Sequence, residues 1–117
     1  MPRSEKTYLS ELLDAVRQVR IYVQEQTFET FSADKKTTDA VVFQMIIVGE
    51  AAKNVTETFC QRHPQIDWRE LKRSRDRIVH SYFTINVERV WEVATQEYPP
   101  LQTQLEAVLE AEYGTKN

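Results

Sequence analysis

This sequence predicts an all-α protein, an antiparallel up-and-down four-helix bundle with one additional short helix. Apolar residues recur at helical spacing over long stretches. Only two glycines and four prolines interrupt 117 residues, too little turn chemistry for a many-stranded sheet. The chain length suits one domain over residues 1–117, built around a single core.

The first helix is predicted from about Ser4 to Gln26, where Leu9, Leu12, Leu13, Val16, Val19 and Val23 form one apolar stripe. Phe28 and Phe31 suggest one further turn, and Ser32 to Thr37 read as a polar loop. Thr37 or Thr38 is a candidate cap for a second long helix, with Asp39 near its positive end. That helix is expected to run unbroken to about Arg62, where His63-Pro64 stops it. Gly49 lies mid-helix beside Ala51 and Ala52, which predicts close approach by another helix. Asp67 is placed to cap a third helix from Trp68 to Val79 or Tyr82, and Asn86 a fourth. Pro99-Pro100 is expected to interrupt that pattern before a last helical stretch, which Gly114 ends.

Cys60 is the sole cysteine, so no intrachain disulfide can form, and a reducing cytoplasm is the expected compartment. The longest apolar run, Met45 to Val48, is far short of a membrane span, so no membrane association is expected. The net charge of −3 disfavours wrapping of a long polyanion. Charge is nevertheless uneven. Residues 69–77 hold five basic side chains (Arg69, Lys72, Arg73, Arg75 and Arg77) against Glu70 and Asp76. An acidic body with one basic patch points to a local anion contact.

On a continuous helix, Asp76 and His80 share one face and Arg75 and Tyr82 a neighbouring one, while Arg77 can reach toward His80. A carboxylate there would fix the imidazole tautomer. Arginine, histidine and tyrosine together suit RNA cleavage by internal attack. A neutral histidine accepts the 2′-hydroxyl proton, and a guanidinium stabilises charge on the pentacoordinate phosphate. This chemistry needs no metal and no cofactor. One histidine cannot easily serve as both base and acid, so a second copy across a symmetric interface would complete the site. Against this stands the ordinary reading of an Arg/Lys-rich helix face as a solvated surface.

The other notable residues read mainly as structural. Trp68 and Trp91 are expected in the core or at a dimer contact, with RNA stacking the alternative. His63 reads as a helix-end residue and Cys60 as a small buried filler. Glu50 is a candidate partner for an arginine of the basic segment.

Arg75-x4-His80-x-Tyr82 resembles the signature of HepT-type HEPN toxins, the ribonuclease halves of HepT–MntA toxin–antitoxin pairs. Thr38-Asp39-Ala40-Val41, Ile47 to Lys53, Pro64-x-Ile66-x-Trp68 and Val90-Trp91 are similar to further landmarks of that family in the same order, over roughly residues 6 to 108. The resemblance implies a HEPN-like fold and a homodimer with two copies of the motif along a cleft. It also implies Arg75 and His80 as the catalytic pair with Asp76 and Arg77 in support, and Lys72 and Arg73 as RNA contacts. By the same resemblance, an MntA-type nucleotidyltransferase antitoxin silences the toxin by adding AMP to Tyr82. Arg73, Ser74 and Ser81 depart from the family's commoner residues and leave substrate preference open, a transfer RNA and a messenger both being candidates. Two alternatives are a non-catalytic scaffold for such a nucleotidyltransferase and a nucleotide-binding module.

Overall fold

The structure is a computed structural model that describes residues 4–79 and 84–114. Their regular structure is helical. The elements are α1 (Glu5–Val23), α2 (Phe28–Ala33), α3 (Lys35–Lys53), α4 (Glu57–Arg62), α5 (Trp68–Lys72), α6 (Ser74–Ile78), α7 (Val87–Glu92), a π-helical stretch (Val93–Glu97) and α8 (Tyr98–Tyr113). The fold class is therefore the one expected. The division into helices is not, for three long helical runs carry the packing and the region between α3 and α7 is segmented.

The frame follows from the apolar stripes. Leu9, Leu12, Val16 and Val19 of α1 are fully buried, together with Val41, Met45 and Val48 of α3 and Leu105 of α8. Direction can be read from side-chain pairs. Arg17 bonds Glu106, Arg20 bonds Gln102, and Lys6 lies over the Tyr113 ring, so α1 and α8 run antiparallel. Glu5 at the start of α1 accepts from the Thr56 amide just past α3 (2.6 Å), which makes α1 and α3 antiparallel too.

Four boundaries differ from expectation, each for a local reason. Asp34, rather than Thr37 or Thr38, caps α3, accepting from the Thr37 amide at 3.1 Å and its hydroxyl at 2.7 Å. Most of the expected polar loop is thus helical, and Thr38 is buried with its hydroxyl donating to the Phe31 carbonyl. The second long helix ends at Lys53. Asn54 turns back to the Glu50 carbonyl, and Thr56 caps α4 by accepting from the Phe59 amide.

The third helix breaks at Arg73. The buried Ser74 hydroxyl donates to the Leu71 carbonyl at 2.6 Å, the oxygen that a continuous helix would offer to the Arg75 amide. Pro99-Pro100, by contrast, does not break the last helix. The two prolines lack amide donors, and the wider π-helical turn before them carries the chain into α8 without interruption. Gly114, with φ of 76°, ends it as expected.

Candidate active site

The basic segment is held from behind. Asp67 caps α5 by accepting from the Glu70 amide, and Trp68 is buried with its indole N–H donating to the His63 carbonyl at 2.9 Å. This makes Trp68 a wall residue, not a stacking platform. On α6, Ser74 and Ile78 face inward, with Ile78 1% exposed. Gly49 makes this seating possible, since a Cβ built there would stand 3.3 Å from the Ser74 Cβ and 3.4 Å from the Leu71 carbonyl oxygen. Arg75 and Asp76 are exposed on the solvent side of the same short helix.

Helix α6 stops at Ile78, and Val79 is extended with φ −114° and ψ 126°. The helix expected to run on from Asp76 therefore ends at Ile78. Val79 instead pairs with Ile85 in an isolated antiparallel bridge, and the Asn86 amide donates to the Ile78 carbonyl at 2.8 Å. These contacts clamp both ends of the segment between Val79 and Ile85. His80, Ser81 and Tyr82 lie outside the described residues.

Arg77, expected to reach toward His80, has its described partners on other elements. Its side chain is only 13% exposed and points into the fold, where it donates to both oxygens of Glu97 at 2.9 and 2.8 Å. Its Nε also lies 2.9 Å from a Glu70 carboxylate oxygen, without the alignment of a hydrogen bond. The Glu97 hydrogen bonds hold the Arg77 proton more tightly than usual, despite burial acting in the opposite direction. Arg89 adds a weaker contact to Glu97 at 3.8 Å. Behind this network lies a cleft of about 340 Å³, whose walls include Met45, Ser74, Arg77, Glu97, Tyr98 and Gln104. Burial pushes the Tyr98 phenol well above its ordinary value, and its hydroxyl has no hydrogen-bond partner among the described residues.

Lys72 and Arg73 stand on the other side, with Arg69, along an open groove below α4. The Lys72 charge partly offsets the upward push that burial gives the Cys60 thiol, which is otherwise an inert core filler. Glu50 is exposed and pairs with Lys53, so it does not reach the basic segment. Glu70, within that segment, and Glu97, outside it, both meet Arg77, contacts that the sequence did not reveal. The twenty-residue separation of Arg77 and Glu97 carries no local signal. A second missed cluster ties α4 to α8, where Glu112 accepts from Arg62 at 3.0 and 3.2 Å and meets His63 Nε2 at 2.5 Å. His63 is the C-terminal cap of α4, the helix-end position expected for it.

Among the described residues no group of three His, Cys, Asp or Glu side chains is placed to hold a metal ion. No described helix is long and apolar enough to cross a membrane.

An all-helical HEPN-like fold with an exposed arginine on α6, five residues ahead of a histidine in the sequence, defines a class, the HEPN ribonucleases. The family described as Ribonuclease HepT-like matches residues 12–108, and the chain belongs to it. A Thermococcus cleftensis protein named as a probable ribonuclease HepT is 39% identical over 106 residues, covering 91% of this chain and 96% of its own. A Methanocaldococcus jannaschii protein and one from Caldanaerobacter subterraneus subsp. tengcongensis, both provisionally named RNases, are each 32% identical over 110 residues. These alignments cover 93% and 94% of this chain, and 91% and 98% of the relatives. No solved structure gives a significant match. Membership makes the chain an RNA-cleaving enzyme of HEPN type.

Proposed function

We propose that this protein is a metal-independent endoribonuclease toxin that acts as a homodimer through Arg75 and His80. The observation carrying this reading is the exposure of Arg75 on α6, whose opposite face is fixed by Ile78, Ser74 and Arg77. An arginine displayed at the surface on a firmly packed helix suits phosphate recognition. In the reaction, His80 takes the proton of the 2′-hydroxyl as that oxygen attacks the adjacent phosphorus. Arg75 stabilises the charge on the pentacoordinate phosphate. The 5′-oxygen leaves with a proton, and a 2′,3′-cyclic phosphate remains. The second copy of the motif supplies the acid that one histidine cannot supply while acting as base.

Asp76 supports the site from the exposed side of α6, and Lys72 and Arg73 hold RNA phosphates. Arg77 contributes indirectly by seating α6. Tyr82 is the off-switch: AMP added by an MntA-type nucleotidyltransferase antitoxin would bring phosphate next to Arg75 and block RNA entry. The substrate is a cytoplasmic transfer RNA or messenger.

The test is incubation of the purified protein with total RNA in EDTA. New 2′,3′-cyclic phosphate ends are expected from the wild type and not from Arg75→Ala or His80→Ala. Identical null results for all three proteins would favour a non-catalytic scaffold for the nucleotidyltransferase. Coexpression with that partner should add AMP detectable by intact mass, and Tyr82→Phe should remove the addition.

A further inference from the structure

Most of the arginines described in this fold have a polar partner. Arg17 bonds Glu106, Arg62 bonds Glu112, Arg77 bonds Glu97, Arg89 bonds Glu92, and Arg20 bonds Gln102. Arg69, Lys72 and Arg73 differ. Among the described residues their side chains enter no ion pair and no hydrogen bond, although the body of the protein carries an excess of acidic groups. Three neighbouring cations that form no ion pair give this acidic protein a local positive patch suited to an anion from outside.

Their placement narrows what that anion is. All three line one groove of about 660 Å³ between α5 and the stretch from Glu57 to Ile66. The floor includes Cys60, Ile66 and Trp68, each of them buried. Arg69 stands one helical turn from Lys72 and Arg73, about 5.4 Å of rise, a ridge on the scale of successive phosphates along one strand. Two carboxylates also line the groove: Asp67 is engaged in capping α5, and Glu57 forms no ion pair with the three cations among the described residues. The ridge leads directly into Arg75 on the next helix.

We infer that this groove is a binding track for single-stranded RNA, with Arg69 at the end remote from Arg75, and that it governs substrate capture rather than the chemical step. The inference rests on the nuclease reading for its substrate and adds Arg69 and the groove to it. One groove of this size admits one strand, and its cationic rim suits the phosphates of a single strand.

The experiment uses the full chain and a short fluorescent oligonucleotide with every sugar 2′-O-methylated, so that no nucleophilic hydroxyl is present. Affinity is measured against salt concentration for the wild type and for Arg69→Gln, Lys72→Gln and Arg73→Gln, singly and combined. Each lost phosphate contact should lower the slope of log affinity against log salt by about 0.7, and the triple variant by about 2. Arg69→Lys and Lys72→Arg should keep the wild-type slope. With cleavable RNA the triple variant should show raised KM at unchanged kcat, and thermal midpoints should match the wild type because the ridge is at the surface. A wild-type slope in the triple variant, or equal affinity for a matched duplex, overturns the inference. So does loss only of binding to a coexpressed nucleotidyltransferase, which would mark the groove as a protein-docking surface. Oligonucleotide binding with the expected slopes but no cleavage of any RNA would support the track and sink the nuclease reading.

Discussion

Arg77 of α6 and Glu97 at the end of the π-helical stretch form a two-pronged ion pair, with nitrogen–oxygen distances of 2.9 and 2.8 Å. The pair fastens the helix that displays Arg75 to the long run through α8. Arg77 is 13% exposed and Glu97 40%, so water screens one partner and the contact is worth less than a fully buried pair. Arg77→Ala should therefore lower stability by about 2 kcal/mol, near the value for hydrogen bonds to charged groups. Urea unfolding checks this. Arg75→Ala, two residues away and exposed, should stay within about 0.5 kcal/mol of wild type while abolishing cleavage. Equal destabilisation by both would contradict the division into a seating arginine and a reacting one.

The Tyr98 hydroxyl lies beside this pair, buried and without a hydrogen-bond partner among the described residues. A buried polar group in that state costs stability, and removing it leaves nothing unpaired. Tyr98→Phe should keep the ring packing and leave stability equal to wild type or raised by up to about 1 kcal/mol. Thermal and urea midpoints would show it. A loss above 1 kcal/mol would mean that the hydroxyl has a partner in solution.

How far the sequence could be read depended on the range of the interactions involved. The stripe from Leu9 to Val23 predicted α1 because helix burial repeats every three to four residues, and the structure buries all six of the stripe residues named for it. The caps at Asp67 and Asn86 were legible for the same local reason. The break at Arg73 was hidden because it depends on Ser74 being buried against Gly49, some twenty-five residues earlier. A second interruption lies further on, where α6 ends at Ile78 and Val79 is extended, so the helix expected to continue from Arg75 stops there. The motif itself was legible as residue types in order, but the inward turn of Arg77 toward Glu97 was not.

Gly49 offers a direct test of that long-range contact. Alanine there would gain helix propensity of about 1 kcal/mol. Its Cβ, however, would meet the Ser74 Cβ at 3.3 Å and the Leu71 carbonyl at 3.4 Å, tighter than ordinary packing. Valine adds two further carbons where α3 meets α5 and α6. Gly49→Val should cost about 1–3 kcal/mol, the usual range for overpacking. It should also reduce cleavage more than the stability loss explains, because the clash pushes on the helix bearing Arg75. Unfolding curves and activity measured well below the thermal midpoint separate the two effects.

Glu112 sets the last expectation, because Arg62 and then His63 hold its carboxyl below the ordinary value of 4.5. Folding therefore favours the ionised form. The stabilisation from this contact is complete above the ordinary value and is lost as pH falls through the lower, folded one. Glu106, held down by Gln102 and Arg17, and Asp34, held down by Thr37, act in the same direction, so the wild type should weaken in acid through all three. Glu112→Gln removes one of them. Relative to wild type the variant should be less stable at neutral pH, and the gap should close as pH drops below 4.5. Urea midpoints measured from neutral pH into acid give both curves. A gap that persists at the acid end would show that the glutamate contributes through packing and not through its charge.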